Sequence, residues 1–268
     1  EGGRNWDGST DFIIPSTAKL VKLLRVPVYA IFYKGGYLSK PRWAYHFRKG
    51  IMSVEIREII SEDAIARKSI KDIYKTLVEK LDYNEFEWQK NQKIPFRGKR
   101  LAEDIERLIY LCPECHTINS IISRGNHFYC KSCGKEHSIN EYGIIEGSSH
   151  FEDTVAWNKW QMSLLPEIIE KGLSFSNPQI SLEKIELQKR RKMFKVLLVL
   201  DPDKIIIEYS DRQREIIPLQ DISGLSITFL DMVEFFVDET KYRFTFDPKK
   251  HMSVKLFYDL LAGVKEDK

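Results

Sequence analysis

Ala18, Leu20, Val21 and Leu24 recur at helical spacing with lysines turned outward, which predicts an amphipathic helix over 16–24. Val26-Pro27-Val28-Tyr29-Ala30-Ile31-Phe32 follows as an almost continuous apolar run, predicting a buried strand. Loop, helix and strand in this order open an α/β pattern. Over 61–81, Ile65, Ile70, Ile73, Leu77 and Leu81 repeat every three to four residues, predicting one helix with Ser61 as N-cap and Asp63 in its first turn. Residues 83–100 are polar, with Pro95 and Gly98 as breakers, and predict turns. Residues 101–111 predict a short helix or strand that delivers the chain into Cys112.

Past the middle of the chain, 151–165 predicts a helix with Trp157 and Trp160 as core anchors, and Pro166 opens a second helical piece. Ser148, Ser149, His150 and Asp153 cluster just before it and are expected to cap it. A linker is expected over 172–178. From Met193 the period changes to two, with β-rich runs at 195–200, 204–209, 214–218, 224–229, 232–237 and 241–246. Residues 180–187 supply a first strand, and Val254, Phe257, Leu260 and Leu261 form the apolar stripe of a closing helix. Antiparallel strands followed by one covering helix resemble a pleckstrin-homology-like barrel, a likeness of topology that implies a docking or membrane-orienting role, with pure scaffolding as the alternative.

Charge then narrows the partners. Lys plus Arg number 42 against 39 Asp plus Glu, a formal +3, which is a mixed surface without the basic field of a dedicated nucleic-acid binder. Two local tracts stand out. Lys40, Arg42, Trp43, Tyr45, His46, Phe47, Arg48 and Lys49 fit either anionic headgroups or a strand pair with solvated charges, and Lys189-Arg190-Arg191-Lys192 fits an anionic membrane or a solvated strand end. No apolar run approaches the about 20 residues of a membrane span, and no secretory signal is visible. The expectation is a cytoplasmic protein, peripheral on the inner face of the plasma membrane.

All four cysteines lie in Cys112-Pro-Glu-Cys115 and Cys130-Lys-Ser-Cys133, a C-x2-C-x14-C-x2-C spacing. Each knuckle offers two thiolates from one side, and four thiolates close a tetrahedral Zn²⁺ site with no position left for water. The expected metal is therefore a structural zinc. Arg124-Gly125-Asn126 reads as the turn of a zinc-ribbon hairpin, with Arg124, His127, Phe128 and Lys131 as a mixed basic and aromatic face. Two disulfides are the competing reading, and His116 or His137 could replace a thiolate.

The chain opens on Glu1-Gly2-Gly3-Arg4. Paired glycines admit a ligand close to the backbone, and the arginine offers a permanent cationic fork for phosphate or carboxylate. Glu1-Gly2-Gly3-Arg4 and Val26-Pro27-Val28 resemble the third and fourth sequence blocks of the glycerol-phosphate and lysophosphatidate (1-acyl-sn-glycerol-3-phosphate) acyltransferases. The continuation from Gly35-Gly36-Tyr37 to Gly50-Ile51-Met52-Ser53-Val54 is similar to a bacterial branch with a zinc ribbon behind the enzyme domain. The resemblance implies a transferase of phospholipid biosynthesis, moving a fatty acyl group from acyl-CoA or acyl carrier protein to lysophosphatidate or a related glycerol phosphate. It implies that Arg4 grips the phosphate, that Glu1, Gly2 and Gly3 shape the pocket, and that Pro27 lies beside the acyl donor.

The family's chemistry uses a His and an Asp five positions later as proton acceptor and orienting carboxylate. The residues five places after His46, His116, His127, His137, His150 and His251 are Ile51, Ile121, Ser132, Tyr142, Val155 and Leu256. With no Met at the start, the expectation is a fragment whose catalytic half precedes Glu1 and which is inactive alone. The expected organisation is a partial α/β acyltransferase domain over 1–105, a zinc ribbon over 106–146, a helical linker over 147–179 and an α+β pleckstrin-homology-like barrel with a C-terminal helix over 180–268. The competing organisation is a non-enzymatic module in which ribbon and barrel bind nucleic acid or protein.

Overall fold

A computed structural model describes residues 5–171, 173–186, 192–247 and 252–266. The chain divides into two compact units, Glu1–Glu103 with Arg124–His127 and His137–Val155, and Asp104–Ser123 with Phe128–Glu136 and Ala156–Lys268.

In the first unit, helix α1 (Ser16–Leu24) leads into strand β1 (Val28–Lys34), the short helix α2 (Gly36–Ser39) and strand β2 (Ser53–Ile60), which pairs antiparallel with β1. Ala30 and Phe32 on one face of the pair pack with Ala18 and Val21 of α1. The buried strand expected at 26–32 is half right. It starts at Val28, and its second face leaves Tyr29, Ile31 and Tyr33 exposed beside Val54 and Ile56 of β2. An apolar run counts residues but cannot report that nothing in the described chain covers one side of a two-stranded sheet.

The single helix expected over 61–81 is two, α3 (Glu62–Arg67) and α4 (Ile70–Leu81). Ser69 breaks them apart: its Oγ accepts from the Asp72 amide at 3.1 Å and donates to the Asp72 carboxylate at 2.6 Å, a capping arrangement that starts a new helix. The periodicity missed the break because Ile65, Ile73 and Leu77 enter the same core. Lys22 Nζ closes the end of α3, donating to the carbonyls of Ile65 and Lys68 at 2.8 Å and of Ala66 at 3.1 Å. A cation on the last carbonyls of a helix satisfies groups that have no intrahelical partner.

The turns expected over 83–100 contain a helix, α5 (Glu85–Gln92), started by Asn84, whose side chain accepts from the amides of Phe86 and Glu87. Its sequence has no apolar stripe to read, yet Phe86 is buried with Tyr37, Leu38 and Phe96. Nor does the basic-aromatic tract form a strand pair on the surface. Trp43 and Arg48 are buried there, Trp43 Nε1 donates to Tyr37 Oη at 2.9 Å, and the Arg48 guanidinium donates to the Leu101 carbonyl, its pKa pulled down to about 10 by burial.

A 3-10 turn (Ile105–Arg107), in place of a helix or strand, leads to the ribbon. The ribbon contains β3 (Ile121–Arg124), β4 (His127–Cys130), β5 (Glu136–Ile139) and β6 (Ile145–Glu146), in sequential order in one sheet. Two helices follow, α6 (Thr154–Ser163) and α7 (Leu165–Lys171), the second carrying Pro166 at its second position, where a missing amide costs nothing.

The rest of the second unit is a seven-stranded antiparallel sheet of β7 (Leu173–Glu186), β8 (Lys192–Leu200), β9 (Lys204–Tyr209), β10 (Arg214–Pro218), β11 (Ile222–Thr228), β12 (Met232–Val237) and β13 (Thr240–Thr245), closed by helix α8 (Val254–Glu266). The order is β10-β9-β8-β7-β13-β12-β11, so the first strand sits at the centre and pairs with both β8 and β13. The linker expected over 172–178 is instead the first half of β7, paired from Leu173 to Phe175 with Leu198–Leu200 of β8 before a register shift that contains Asn177 and Pro178. Proline is tolerated at such an irregularity, and this hid the strand. Phe244 packs edge-on and Phe246 tilted against Phe257 of α8, and Ser253 caps that helix by accepting from the Leu256 amide. Lys189-Arg190-Arg191 lies outside the described residues.

Replacing Lys22 with Met keeps the stem and removes the ammonium. The expected loss is about 1 kcal/mol, read as about fivefold faster amide exchange at the end of α3 with α4 unchanged; equal exchange would remove Lys22 from that role.

Candidate metal centre and the cleft beside Asn5

The four sulfurs of Cys112, Cys115, Cys130 and Cys133 all lie within 4.8 Å of one another. Cys112 Sγ is 3.7 Å from Cys133 Sγ, and Cys115 Sγ is 3.7 Å from Cys130 Sγ. Sulfurs about 2.3 Å from one central ion stand about 3.8 Å apart at the corners of a tetrahedron. A disulfide needs about 2.05 Å, and all four cysteines are free. The pairs come from different knuckles, so one ion here would tie the two segments together.

Backbone supplies the shape. Each knuckle folds so that amides face its sulfurs: those of Glu114 and Cys115 toward Cys112, that of Thr117 toward Cys115, those of Ser132 and Cys133 toward Cys130, and that of Lys135 toward Cys133. Burial pushes the Cys112 thiol up to about 12. Burial also acts upward on Cys115, but the Thr117 hydroxyl and amide together with the Cys112 and Cys130 thiols draw it down to about 6. Four thiolates this close repel one another, and a divalent cation reverses that balance.

The second unit also sets where Cys112 stands. Trp157, fully buried in α6, donates from Nε1 to the Leu111 carbonyl at 3.0 Å and packs on Phe128. Gln161 holds the Leu108 carbonyl and the Tyr110 amide, and Tyr110 Oη donates to Asp259 of α8 at 3.2 Å. Trp157 is thus the core anchor expected of it, while Trp160 is partly buried with its ring edge-on to His116 at 5.6 Å. His116 has its backbone in the left-handed region (φ 54°), ending the first knuckle. The four-sulfur cluster includes neither His116 nor His137.

The residues expected to bind the phosphate, Glu1, Gly2, Gly3 and Arg4, lie outside the described residues. Asn5, the next in the chain, lines a cavity of about 280 Å³ in the first unit. The segment that follows is clipped to the start of α5: the Glu85 amide donates to the Gly8 carbonyl, the Thr10 amide to the Tyr83 carbonyl, and Thr10 Oγ1 to the Leu81 carbonyl. Pro27 is exposed in the connection from α1 to β1 and does not line this cavity.

Glu85 is the group that reading the sequence did not single out, since an acid in the first turn of a polar helix is ordinary. Its residue exposure is 1%, Oε2 accepts from Tyr83 Oη at 2.8 Å, and Oε1 faces the Leu38 amide at 3.5 Å. Burial raises its pKa to about 7. The phenols of Tyr37 and Tyr83 in the same cavity are pushed up by burial and stay neutral.

No family model matches the chain, and no curated protein matches it. Among solved structures, the chain is similar to the solution structure of the N-terminal PH domain of human ARAP2 at 19% identity and a TM-score of 0.26, covering 36% of this chain and 87% of that one. No helix among the described residues is long and apolar enough to cross a membrane.

Two outcomes are expected. Chelation, or Cys112→Ser, should release one bound ion per chain and shift Trp160 emission through its contact with His116; unchanged emission together with no bound metal would remove the centre. A carboxyl raised above its unfolded value stabilises fully below about 4.5, and that contribution is lost as pH rises through about 7. The first unit should therefore weaken between pH 5 and pH 8 in melting experiments, and Glu85→Gln should flatten that slope.

Proposed function

We propose that this chain is part of a phospholipid-building acyltransferase, with the first unit supplying the acceptor side of the cleft, the four cysteines holding a structural zinc, and the seven-stranded sheet orienting the protein at an anionic membrane. The observation that carries this reading is the position of Asn5: the residue that directly follows Glu1-Gly2-Gly3-Arg4 lines a cavity between β1 and the start of α5. The clip between residues 8–10 and 81–85 fixes the chain from Gly8 onward, just after Asn5 at the cavity.

In this reading the acceptor hydroxyl attacks the thioester carbonyl of the acyl donor, its proton passes to an imidazole, and the thiol of coenzyme A or acyl carrier protein leaves. Arg4 holds the phosphate of the acceptor by charge-assisted hydrogen bonds, and Glu1 shapes the pocket. No histidine of these 268 residues has an aspartate five positions later, so none of them is assigned the proton-accepting role in this reading. Zinc is the ion that four thiolates in a closed tetrahedron select, and such a site has no open position for catalysis.

Two measurements test this. Glycerol 3-phosphate should bind the chain with an affinity that falls with salt, and Arg4→Ala should weaken it at least tenfold; salt-independent binding, or none, would detach the tetrapeptide from phosphate. Incubated with acyl-CoA and lysophosphatidate, these residues alone should give no transfer above background, and measurable turnover would show that the proton acceptor lies within them.

A further inference from the structure

The cavity beside Asn5 has a lining unlike that of a phosphate site. Four aromatic residues contribute, Phe32 and Tyr33 of β1, Tyr37 of α2 and Tyr83. Ile13, Ile31 and Leu81 add aliphatic surface, and no lysine or arginine lines it among the described residues. Glu85 is the one carboxylate in that lining. From the elements packed about it, Glu85 meets the phenol of Tyr83 and backbone amides of Gly35 and Leu38, none of which carries a charge.

This combination discriminates among ligands. An anion would meet a buried carboxylate and no described cation. A hard divalent metal would find one carboxylate where it needs six or more oxygens. A neutral polyol would leave the carboxylate without a counter-charge in a desolvated site, and that condition is costly. An organic cation matches both parts of the lining, because ring faces attract a positive charge and the carboxylate neutralises it. The volume, about 280 Å³, lies at the lower end of small-molecule sites, so the ligand is small.

We propose that this cavity binds a small organic ammonium ion, with the Glu85 carboxylate as its counter-charge and Phe32, Tyr33, Tyr37 and Tyr83 among the residues that line it. The proposal stands independently of the acyltransferase reading, and a phosphate held at Arg4 does not exclude it. Because burial in this cavity raises the Glu85 pKa to about 7, binding a cation drives the carboxyl to its charged form and releases its proton to solvent. A group titrating near 7 is about one-tenth ionised at pH 6 and about nine-tenths at pH 8, so affinity should rise about tenfold between them.

The test is calorimetry of the full 268-residue chain with tetramethylammonium chloride at pH 6 and pH 8, at matched ionic strength, with tert-butanol as a neutral probe of similar size. The expected result is binding about tenfold tighter at pH 8, with proton release, and no binding of tert-butanol. Glu85→Gln should abolish both binding and its pH dependence. Tyr33 is 64% exposed, so Tyr33→Ala should leave the fold intact and weaken binding about fivefold. Equal affinity at the two pH values, equal binding of tert-butanol, or undiminished binding to the folded Glu85→Gln protein would overturn the proposal. Displacement of tetramethylammonium by phosphatidylcholine vesicles would support a lipid headgroup as the source of the ammonium, and unaltered binding in their presence would support a free amine.

Discussion

Four sulfurs within 4.8 Å of one another are the constraint on which the centre of this protein depends. Thiolates at that separation repel one another, and a cation among them would reverse that balance. The two knuckles are short and separated by fourteen residues, too little chain to bury a core of its own. An ion held there would supply cohesion, and the surrounding unit supplies position: Trp157 and Gln161 hold the backbone that enters Cys112, and Tyr110 and Ser253 connect the same stretch to α8.

The first unit solves a different problem. A two-stranded sheet is marginal alone, and β1 with β2 gains its support from α1, α3 and α4 on one face. Lys22 and Ser69 then fix helix ends that the apolar spacing could not locate. The other face, with Tyr29, Ile31, Tyr33, Val54 and Ile56, stays open among the described residues. The cavity lies along the edge of the same strand, where Ile31, Phe32 and Tyr33 contribute to it. A strand apolar on both sides thus serves a core on one side and bounds a cleft on the other.

The proposed roles of Arg4 toward a phosphate and of Glu85 toward an ammonium ion address opposite charges from residues far apart in the sequence. The first comes from a sequence resemblance and the second from burial. They are physically separable, since one depends on a permanently charged guanidinium and the other on a carboxyl whose ionisation follows pH in the neutral range.

Much was determined by sequence alone where the physics is local. The C-x2-C spacing gathers thiolates regardless of the surroundings, the period-two runs after Met193 become strands because alternation suits a sheet with one buried face, and α1 and α8 follow from stripes on a single helix. Tertiary structure decided what depends on contacts between distant residues. It made a helix of the polar stretch Glu85–Gln92 by burying Phe86, turned a supposed linker into half of β7 by giving it β8 as a partner, and took Trp43 and Arg48 out of solvent. It also changed the character of Glu85, because a carboxyl's charge is set by the dielectric around it, and that environment is built from residues up to about eighty positions away in the chain.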